Sequence, residues 1–236
     1  MRIEAWTCRP IDVEAWPLEV CERILSSDEL DRANRFIRQA DAERFRASHA
    51  ALRLWLGERL EMPPADLKFA VTGPADKPML DALPWRFSLS HTDSHWAAAV
   101  GECAVGIDIE CLDRFAGRKD GLARMILSTA EREAWSQLKE PCATHVLAQF
   151  WTRKEALLKA IGTGLHRSMA SVSVGCEPGP VTLRASDAEG RPGWWTLNDL
   201  PGLPSGLAGA LTRQRGGLHP PATKCADALI REACTP

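Results

Sequence analysis

The chain has 236 residues, 45% hydrophobic and 25% charged, a composition typical of a globular protein that can bury a sizeable core. Its 29 basic and 31 acidic residues give a formal net charge of −2, which excludes a global field for binding nucleic acid or an anionic membrane surface. No apolar run approaches the roughly 20 residues that span a bilayer, and the start of the chain lacks the apolar core of a secretory signal, so we expect a cytoplasmic protein.

The first half is predicted to begin with a short strand around residues 3–7. Ser26 then stands three positions before Glu29, the spacing of a helix capping box. Apolar residues recur at near-helical intervals from Leu30 to Leu60, which predicts one or two helices over about 27–60. A strand over 66–72 and a loop over 73–78 follow, since glycine and two prolines interrupt the latter.

A three-stranded meander is predicted next, over 85–91, 96–100 and 103–110, with a two-residue hairpin at 101–102. Side chains alternate between the faces of a strand. Phe87, Leu89 and His91 should therefore share one face of the first strand. In the third strand Asp108 and Glu110 should point the same way, opposite to the two isoleucines of the run GIDIE.

The second half repeats the order of helices followed by strands. Ser128 and Glu131 again have capping-box spacing, and a second helix is predicted over about 143–161. Gly162 and Gly164, followed by Leu165, suit a helix C-cap with its hydrophobic contact. Strands are predicted near 170–175, 180–186, 193–198 and 206–212, and little structure in the tail from 213. This repetition suggests two α+β halves that meet near residues 101–106.

Cysteine usage favours thiols over cross-links. The eight cysteines are irregularly spaced and form no CxxC motif. In a chain of this size without a secretory signal, we expect reduced thiols rather than a disulfide framework or a zinc site.

Three acidic residues in two segments carry the strongest chemical signal: Asp108, Glu110 and Glu155. Glu155 interrupts an apolar helical stripe and, taken alone, suits an ordinary ion pair with Lys159. Two acids at a strand end, taken alone, suit a solvated edge. Together, like charges beside apolar residues repel unless a cation lies between them. Only oxygen donors are available, which favours a hard divalent cation, most simply magnesium.

Two further residues remain ambiguous on position alone. His91 suits a satisfied core or turn histidine as well as a ligand-binding one. Lys77, in a proline-flanked loop, suits a solvated charge.

Three runs in this order resemble the 4'-phosphopantetheinyl transferases of the surfactin-synthetase-activating type. They are FSLSHTDSHW at 87–96, GIDIE at 106–110 and WTRKEALLKAIGTGL at 151–165. The resemblance extends more weakly from the helix at Ser26 to about residue 212. It implies an α+β fold of two pseudo-twofold-related subdomains, each with an antiparallel sheet packed against helices. Residues 1–104 would hold the nucleotide end of coenzyme A, residues 105–212 would carry the metal and the catalytic helix, and 213–236 would be a tail of uncertain order.

The implied activity is transfer of the 4'-phosphopantetheine arm of coenzyme A to a serine of an apo acyl, aryl or peptidyl carrier protein, releasing adenosine 3',5'-bisphosphate. Asp108, Glu110 and Glu155 would hold magnesium, and Glu155 would also serve as base toward the serine. No nucleic acid or membrane partner is implied, and the likeness favours a monomer. The resemblance does not discriminate between fatty acid, polyketide, nonribosomal peptide and siderophore assembly.

The remaining roles implied by the resemblance concern the cofactor's phosphates. His91 and Lys159 would contact the diphosphate, with Lys154 close by. The nucleotide end and its 3'-phosphate would be bound by three further side chains, those of Arg44, Lys77 and Ser90. This chain departs from the family pattern at two positions, with Glu29 where relatives carry a basic residue and Asp76 where they carry glycine, although Arg32 supplies a later basic position.

Two alternatives and one surface remain open at this stage. The three carboxylates alone would also permit a metal-dependent hydrolase of nucleotide pyrophosphates, and a catalytically silent relative could merely bind carrier proteins. Four basic residues after the acidic strand form either a docking patch for an acidic carrier helix or a solvated loop: Arg114, Arg118, Lys119 and Arg124.

Overall fold

A computed structural model describes residues 3–72, 77–81, 83–116, 119–175 and 179–215, with the backbone alone at 3, 4, 71, 72, 77 and 119. The described residues of the first half form three α-helices and five strands: β1 (Ile3–Pro10), α1 (Leu18–Ile24), α2 (Ser27–Asn34), α3 (Gln39–Leu60), β2 (Phe69–Thr72), β3 (Lys77–Leu80), β4 (Arg86–His91) and β5 (His95–Gly101). Strands β1, β5 and β4 form one antiparallel sheet in that order, and β2 and β3 form a separate hairpin.

The second half contains three helices and four strands in the described ranges: β6 (Val105–Cys111), α4 (Lys119–Ile126), α5 (Thr129–Ser136), α6 (Cys142–Ile161), β7 (Val181–Ser186), β8 (Pro192–Asp199) and β9 (Leu207–Gln214). Its sheet is antiparallel with the order β6-β9-β8-β7. The two halves therefore share an order of elements, and the predicted α+β class is confirmed.

The predicted helices are confirmed, with two additions. Ser26 and Glu29 form a capping box at the start of α2, and Ser128 and Glu131 form another at the start of α5. The region 27–60 holds two helices, and α6 begins one residue before its predicted start. The added helices α1 and α4 have only seven and eight residues. Part of the basic region that we treated as a patch or a loop is thus helical.

Gly162 ends α6 with φ +79°, as the C-cap prediction requires. The hydrophobic contact predicted for Leu165 is wrong, because that side chain is 71% exposed.

Two strand predictions and one loop boundary are wrong. Residues 169–171 form a short 3-10 turn and 172–175 are irregular, so no strand lies near 170–175. The predicted loop over 73–78 ends early, because Lys77 already begins β3; residues 73–76 lie outside the described residues. The meander prediction fails at its third member, since β6 pairs with β9 rather than with β5, and 101–102 is therefore no hairpin.

The edges of the two large sheets, β4 and β6, lie side by side and are joined by side chains. Within the described ranges no backbone hydrogen bond links these two strands. Instead the hydroxyl oxygens of Ser88 and Ser90 accept hydrogen bonds from the amides of Ile107 and Ile109, at 3.1 and 3.3 Å. The Lys159 ammonium donates to the Ile107 carbonyl at 3.2 Å. We call this boundary between β4 and β6 the seam.

An apolar cluster holds the two halves together behind the seam. Ala97 and Ala99 of β5 pack there with Ile107 and Ile109 of β6, and with Leu211 of β9, all nearly inaccessible to solvent. Larger clusters lie under the long helices α3 and α6. No helix of the described part of the chain combines the length and apolarity needed to cross a bilayer.

The first half contains a buried ion pair that fastens its long helix. Arg53 of α3 donates to the capping glutamate Glu29 at 2.7 Å. It also donates to the carbonyls of Pro64 and Leu67, both at 2.9 Å. The unusual acid at position 29 therefore serves the fold.

The second half repeats this arrangement with a different cation. Lys154 of α6 donates to the capping glutamate Glu131 at 2.6 Å and to the carbonyls of Met169 and Val172 at 2.9 and 2.5 Å. In each half a capping glutamate, a cation of the long helix and two carbonyls three residues apart meet. Removing one partner of such a buried pair typically costs about 3–5 kcal/mol.

Candidate active site

The three predicted metal ligands lie on two elements that pack together. Asp108 and Glu110 belong to β6, and Glu155 belongs to α6, which lies against that strand. A Cβ at residue 106 would lie 2.0 Å from the carbonyl oxygen of Ala156. Only glycine permits this approach, so Gly106 sets the distance between the two elements.

Asp108 is at the centre of the site and only 4% exposed. Its Oδ1 accepts a hydrogen bond from Ser90 Oγ at 2.8 Å and another from Lys159 Nζ at 2.7 Å. Its Oδ2 is buried and has no hydrogen-bond partner among the residues that the structure describes. A buried acceptor left without a donor is costly, so an additional positive ligand at Oδ2 would be stabilising.

Glu110 is held by an aromatic and a cationic side chain. Its Oε1 accepts a hydrogen bond from Trp151 Nε1 at 3.1 Å and pairs with the Arg114 guanidinium, which lies 4.7 Å from the centroid of the Trp151 ring. The pKa of Glu110 is raised to about 7, first by burial and then by the negative charge of Asp108. The positive charges of Arg114 and Lys159 oppose this rise.

Glu155 is half-buried on the helix that faces these two acids. Burial raises its pKa first, and the negative charge of Asp108 raises it further. Lys159 and Arg114 lower the pKa. Both glutamates therefore lie within electrostatic reach of Asp108 and of the same two cations.

The residues fit a hard divalent cation, but not as a preformed cage. Among the described side chains no three of His, Cys, Asp and Glu lie close enough together to hold a metal ion. Lys159 is paired with Asp108, and Arg114 with Glu110, where a cation would be expected. The fit rests on an all-oxygen donor set, on the unpartnered Oδ2, and on like-charge repulsion that raises the pKa of both glutamates. Binding a cation would require the carboxylates to draw closer.

Basic side chains from both halves face the region beside Asp108. The pKa of His91 is lowered, first by desolvation and then by the positive charges of Lys159 and Arg44, although part of the ring remains exposed. Arg44 pairs with Asp41 and lies 3.5 Å from Asp93. Converging cations of this kind suit phosphate oxygens.

Three other predicted site residues have different outcomes. The Ser90 hydroxyl lies in the seam, where it contacts Asp108. Lys77 belongs to β3, and its side chain lies outside the described part of the structure. The prediction that Lys154 lies close to the diphosphate is wrong, because its ammonium is fully buried on Glu131 and two carbonyls.

Sequence reasoning missed two contributors to the site, Arg114 and Trp151, and one contributor to the seam, Ser88. Arg114 was left open as part of a docking patch or of a solvated loop, and no site role was predicted for Trp151 or Ser88. Two sequence signals could have identified Arg114 and Ser88. Arg114 follows Glu110 by four residues, and two serines at period two on a strand edge can replace a missing hydrogen-bonded neighbour.

Comparison with known proteins relates this chain to one family. The model of the 4'-phosphopantetheinyl transferase superfamily matches residues 104–199. The chain is 32% identical over 197 residues to the 4'-phosphopantetheinyl transferase HetI of Nostoc sp., covering 81% of this chain and 79% of that protein. It is 31% identical over 172 residues to the 4'-phosphopantetheinyl transferase psf-1 of Bacillus pumilus, covering 65% and 69%.

Among solved structures, a holo-(acyl-carrier-protein) synthase from Bacillus anthracis in complex with CoA (3',5'-ADP) is similar over 48% of this chain and 95% of its own, at 25% identity and a TM-score of 0.35. The identity to full-length relatives, together with the family match across β6, α6 and β8, leads to one conclusion. The chain belongs to the 4'-phosphopantetheinyl transferase superfamily.

Proposed function

We propose that this protein transfers the 4'-phosphopantetheine arm of coenzyme A to a serine of apo acyl, aryl or peptidyl carrier proteins with the help of magnesium. Transfer of phosphopantetheine from coenzyme A to carrier proteins is its activity as a member of the family. The finer proposal rests on Asp108, a buried carboxylate with one oxygen unpartnered among the described residues and two further acids within electrostatic reach.

Asp108, Glu110 and Glu155 are the proposed magnesium ligands. When bound, the cation would neutralise the diphosphate of coenzyme A and polarise its phosphorus–oxygen bonds. Beside the metal ligands, His91, Lys159 and Arg44 would bind phosphate oxygens of coenzyme A. Arg44, Lys77 and Ser90 were expected to bind the nucleotide end and its 3'-phosphate, and we keep that role for Arg44 and Lys77.

The chemical step follows from phosphoryl transfer in general. The carrier serine oxygen forms a bond to the β-phosphorus of coenzyme A, and the bond from that phosphorus to the bridging oxygen breaks. The serine proton goes to a base, for which Glu155, on the helix that lies against the strand of Asp108, is our candidate. Negative charge develops on the departing adenosine 3',5'-bisphosphate, where the Lys159 ammonium would stabilise it.

We also propose that residues 1–104 hold the nucleotide end of the cofactor and residues 105–212 carry the metal ligands and the catalytic helix. The site combines β4 and α3 from the first with β6 and α6 from the second. Since one chain supplies both parts, a monomer would be complete, which supports the surfactin-synthetase-activating type.

Intact-mass analysis of apo carrier proteins tests this function. Carriers from fatty acid, polyketide, nonribosomal peptide and siderophore assembly are each incubated with coenzyme A, magnesium and the protein. We expect a mass increase of one phosphopantetheine on at least one carrier, dependent on magnesium. Release of adenosine 3',5'-bisphosphate without any carrier would indicate a hydrolase, and carrier binding without a mass change would indicate a silent relative.

Asp108→Ala tests the magnesium assignment. We expect this variant to lose transfer while its circular dichroism remains that of the wild type, because the central ligand is gone but the sheet is intact. Asp113→Ala, which removes an exposed acid close in sequence, is the control and should retain full activity. Near-normal transfer by Asp108→Ala would contradict the assignment.

A further inference from the structure

We infer that Ser90 is a positioning residue that orients the Asp108 carboxylate for the cation, rather than a ligand of the nucleotide. This inference rests on the proposed function, since it assumes that Asp108 binds the cation. In this arrangement Oδ1 of Asp108 accepts hydrogen bonds from protein side chains, and Oδ2 remains available to bind the ion.

The hydroxyl hydrogen of Ser90 is already used in a hydrogen bond. Its oxygen accepts a hydrogen bond from the Ile109 amide at 3.3 Å, and its single hydrogen is donated to Asp108 Oδ1 at 2.8 Å. A serine hydroxyl has only one donor, so Ser90 cannot donate to a phosphate while it holds Asp108. The side chain is also 93% buried, since its exposed fraction is 7%.

Two donors on one oxygen fix the rotation of the carboxylate. Ser90 approaches Oδ1 from β4, and Lys159 approaches the same atom from α6 at 2.7 Å. The terminal torsion of an aspartate is broad and roughly two-fold. Because the two carboxylate oxygens are chemically equivalent, what the donors define is the plane of the group. With Lys159 alone this plane could rotate about a single contact, whereas the second donor, from the opposite side of the seam, restricts it. The unpartnered Oδ2 is the result.

The chain contains a matched control for this role. Ser88 lies two residues earlier on the same strand and is also buried, with an exposed fraction of 6%. Its hydroxyl oxygen accepts from the Ile107 amide at 3.1 Å, the equivalent bond across the seam. Removing either hydroxyl costs one seam bond, but only Ser90 contacts Asp108. The difference between the two alanine variants therefore isolates the effect on the carboxylate.

Cation affinity measured without turnover tests the inference. Mn²⁺, which prefers the same oxygen ligands as magnesium, is titrated by electron paramagnetic resonance in the presence of coenzyme A and without carrier. Loss of a hydrogen bond behind a metal ligand typically weakens affinity about 10- to 100-fold, so we expect a loss of at least about tenfold for Ser90→Ala. Ser88→Ala should change the affinity less than about twofold. Ser90→Thr, which keeps the hydroxyl, should restore most of the affinity.

Coenzyme A binding in the presence of EDTA separates orientation from cofactor contact. We expect Ser90→Ala to bind coenzyme A as the wild type does, whereas His91→Ala should bind it more weakly. If Ser90→Ala loses coenzyme A affinity without metal, Ser90 contacts the cofactor and the inference is wrong.

Two further outcomes assign failure to the correct hypothesis. If Asp108→Asn loses Mn²⁺ binding but Ser90→Ala behaves like Ser88→Ala, the positioning role is wrong and the proposed metal site stands. If Asp108→Asn binds Mn²⁺ like the wild type, the metal assignment itself is wrong, and the role of Ser90 falls with it.

Discussion

At the scale of single residues, Glu110 carries a carboxylate whose ionised form is disfavoured in the folded protein. Its pKa is raised from 4.5 to about 7 in the folded protein, so the folded state binds a proton more tightly than the unfolded state does. Stability therefore falls as the pH rises through this window, and the full cost is present above about 7. This is the behaviour expected of a side chain kept for a ligand rather than for stability.

Glu110→Gln should consequently stabilise the protein in metal-free buffer. At pH 8 we expect the free energy of unfolding to rise by on the order of 2 kcal/mol, because the amide removes the buried charge. The gain should shrink toward zero at about pH 3.5, well below the unfolded-state pKa of 4.5, where the wild-type side chain is protonated in both states. Denaturant titrations at both pH values measure this, with the exposed Asp113→Asn as control. A destabilised variant at pH 8 would show that the pair with Arg114 outweighs burial.

Lys159 is the residue whose loss should slow the chemistry most selectively. We expect Lys159→Ala to lower the turnover number about 10²- to 10³-fold, since a positioned donor to developing charge is removed. The rate of mass gain on the carrier at saturating coenzyme A measures it. Lys139→Ala, at an exposed lysine, controls for the loss of one positive charge. A rate within about twofold of the wild type would remove the assigned role.

The residues that the sequence could identify were those with local signatures. Asp108, Glu110 and Glu155 could be proposed because acids among apolar residues demand compensation. Lys154 could not be placed, because its partner Glu131 lies on another helix. The stripe pattern shows that a side chain points inward, but not which buried acid it meets.

At the scale of elements, the distance between β6 and α6 depends on the absence of one side chain. Gly106→Ala would place a Cβ 2.0 Å from a backbone carbonyl oxygen and 2.5 Å from the amide nitrogen of Ala160. Because both atoms are backbone, the helix must move. We expect a loss of at least about 3 kcal/mol in unfolding free energy, as for severe overpacking, together with loss of transfer.

Gly121→Ala is the matched control, since it adds the same methyl group where nothing lies within 4 Å. Gly121 is in α4, so alanine should stabilise the protein by about 0.5–1 kcal/mol through helix propensity. Thermal or denaturant unfolding should therefore give opposite signs for the two variants. The same sign in both would contradict the steric explanation.

Local patterns predicted most elements but could not assign their partners. Capping boxes and helical periodicity found α2, α3, α5 and α6, because those signals lie within the element. The pairing of β6 was mistaken because its partner, which places Ala210 opposite Asp108, is about a hundred residues away. Alternation shows that a segment is a strand but not where its ladder partner lies. The helix α1 was missed because it is short and has no side-chain cap bond.

At the scale of the whole molecule, the repeated order of helices and strands and the boundary between the halves were visible in the sequence, but the contacts between the halves were not. The seam depends on hydroxyl and ammonium groups that satisfy the outer edge of β6. Two of these groups, the Ser90 hydroxyl and the Lys159 ammonium, also contact Asp108. The side chains that join the halves are therefore partly the same as those that hold Asp108. The sequence could not show this, because it depends on β4 and β6 lying side by side.

All strands of the first large sheet precede residues 102–104, and all strands of the second follow them. Cleaving the chain there would therefore separate no pair of hydrogen-bonded strands within a sheet. Two separately encoded polypeptides, 1–102 and 103–236, should then reassemble through the apolar contact behind the seam. We expect co-expressed fragments to copurify and to modify a carrier protein, whereas either fragment alone should not. Failure to copurify would show that the covalent connection is needed. Success would make the enzyme a split reporter, whose activity follows the proximity of any two proteins fused to its pieces.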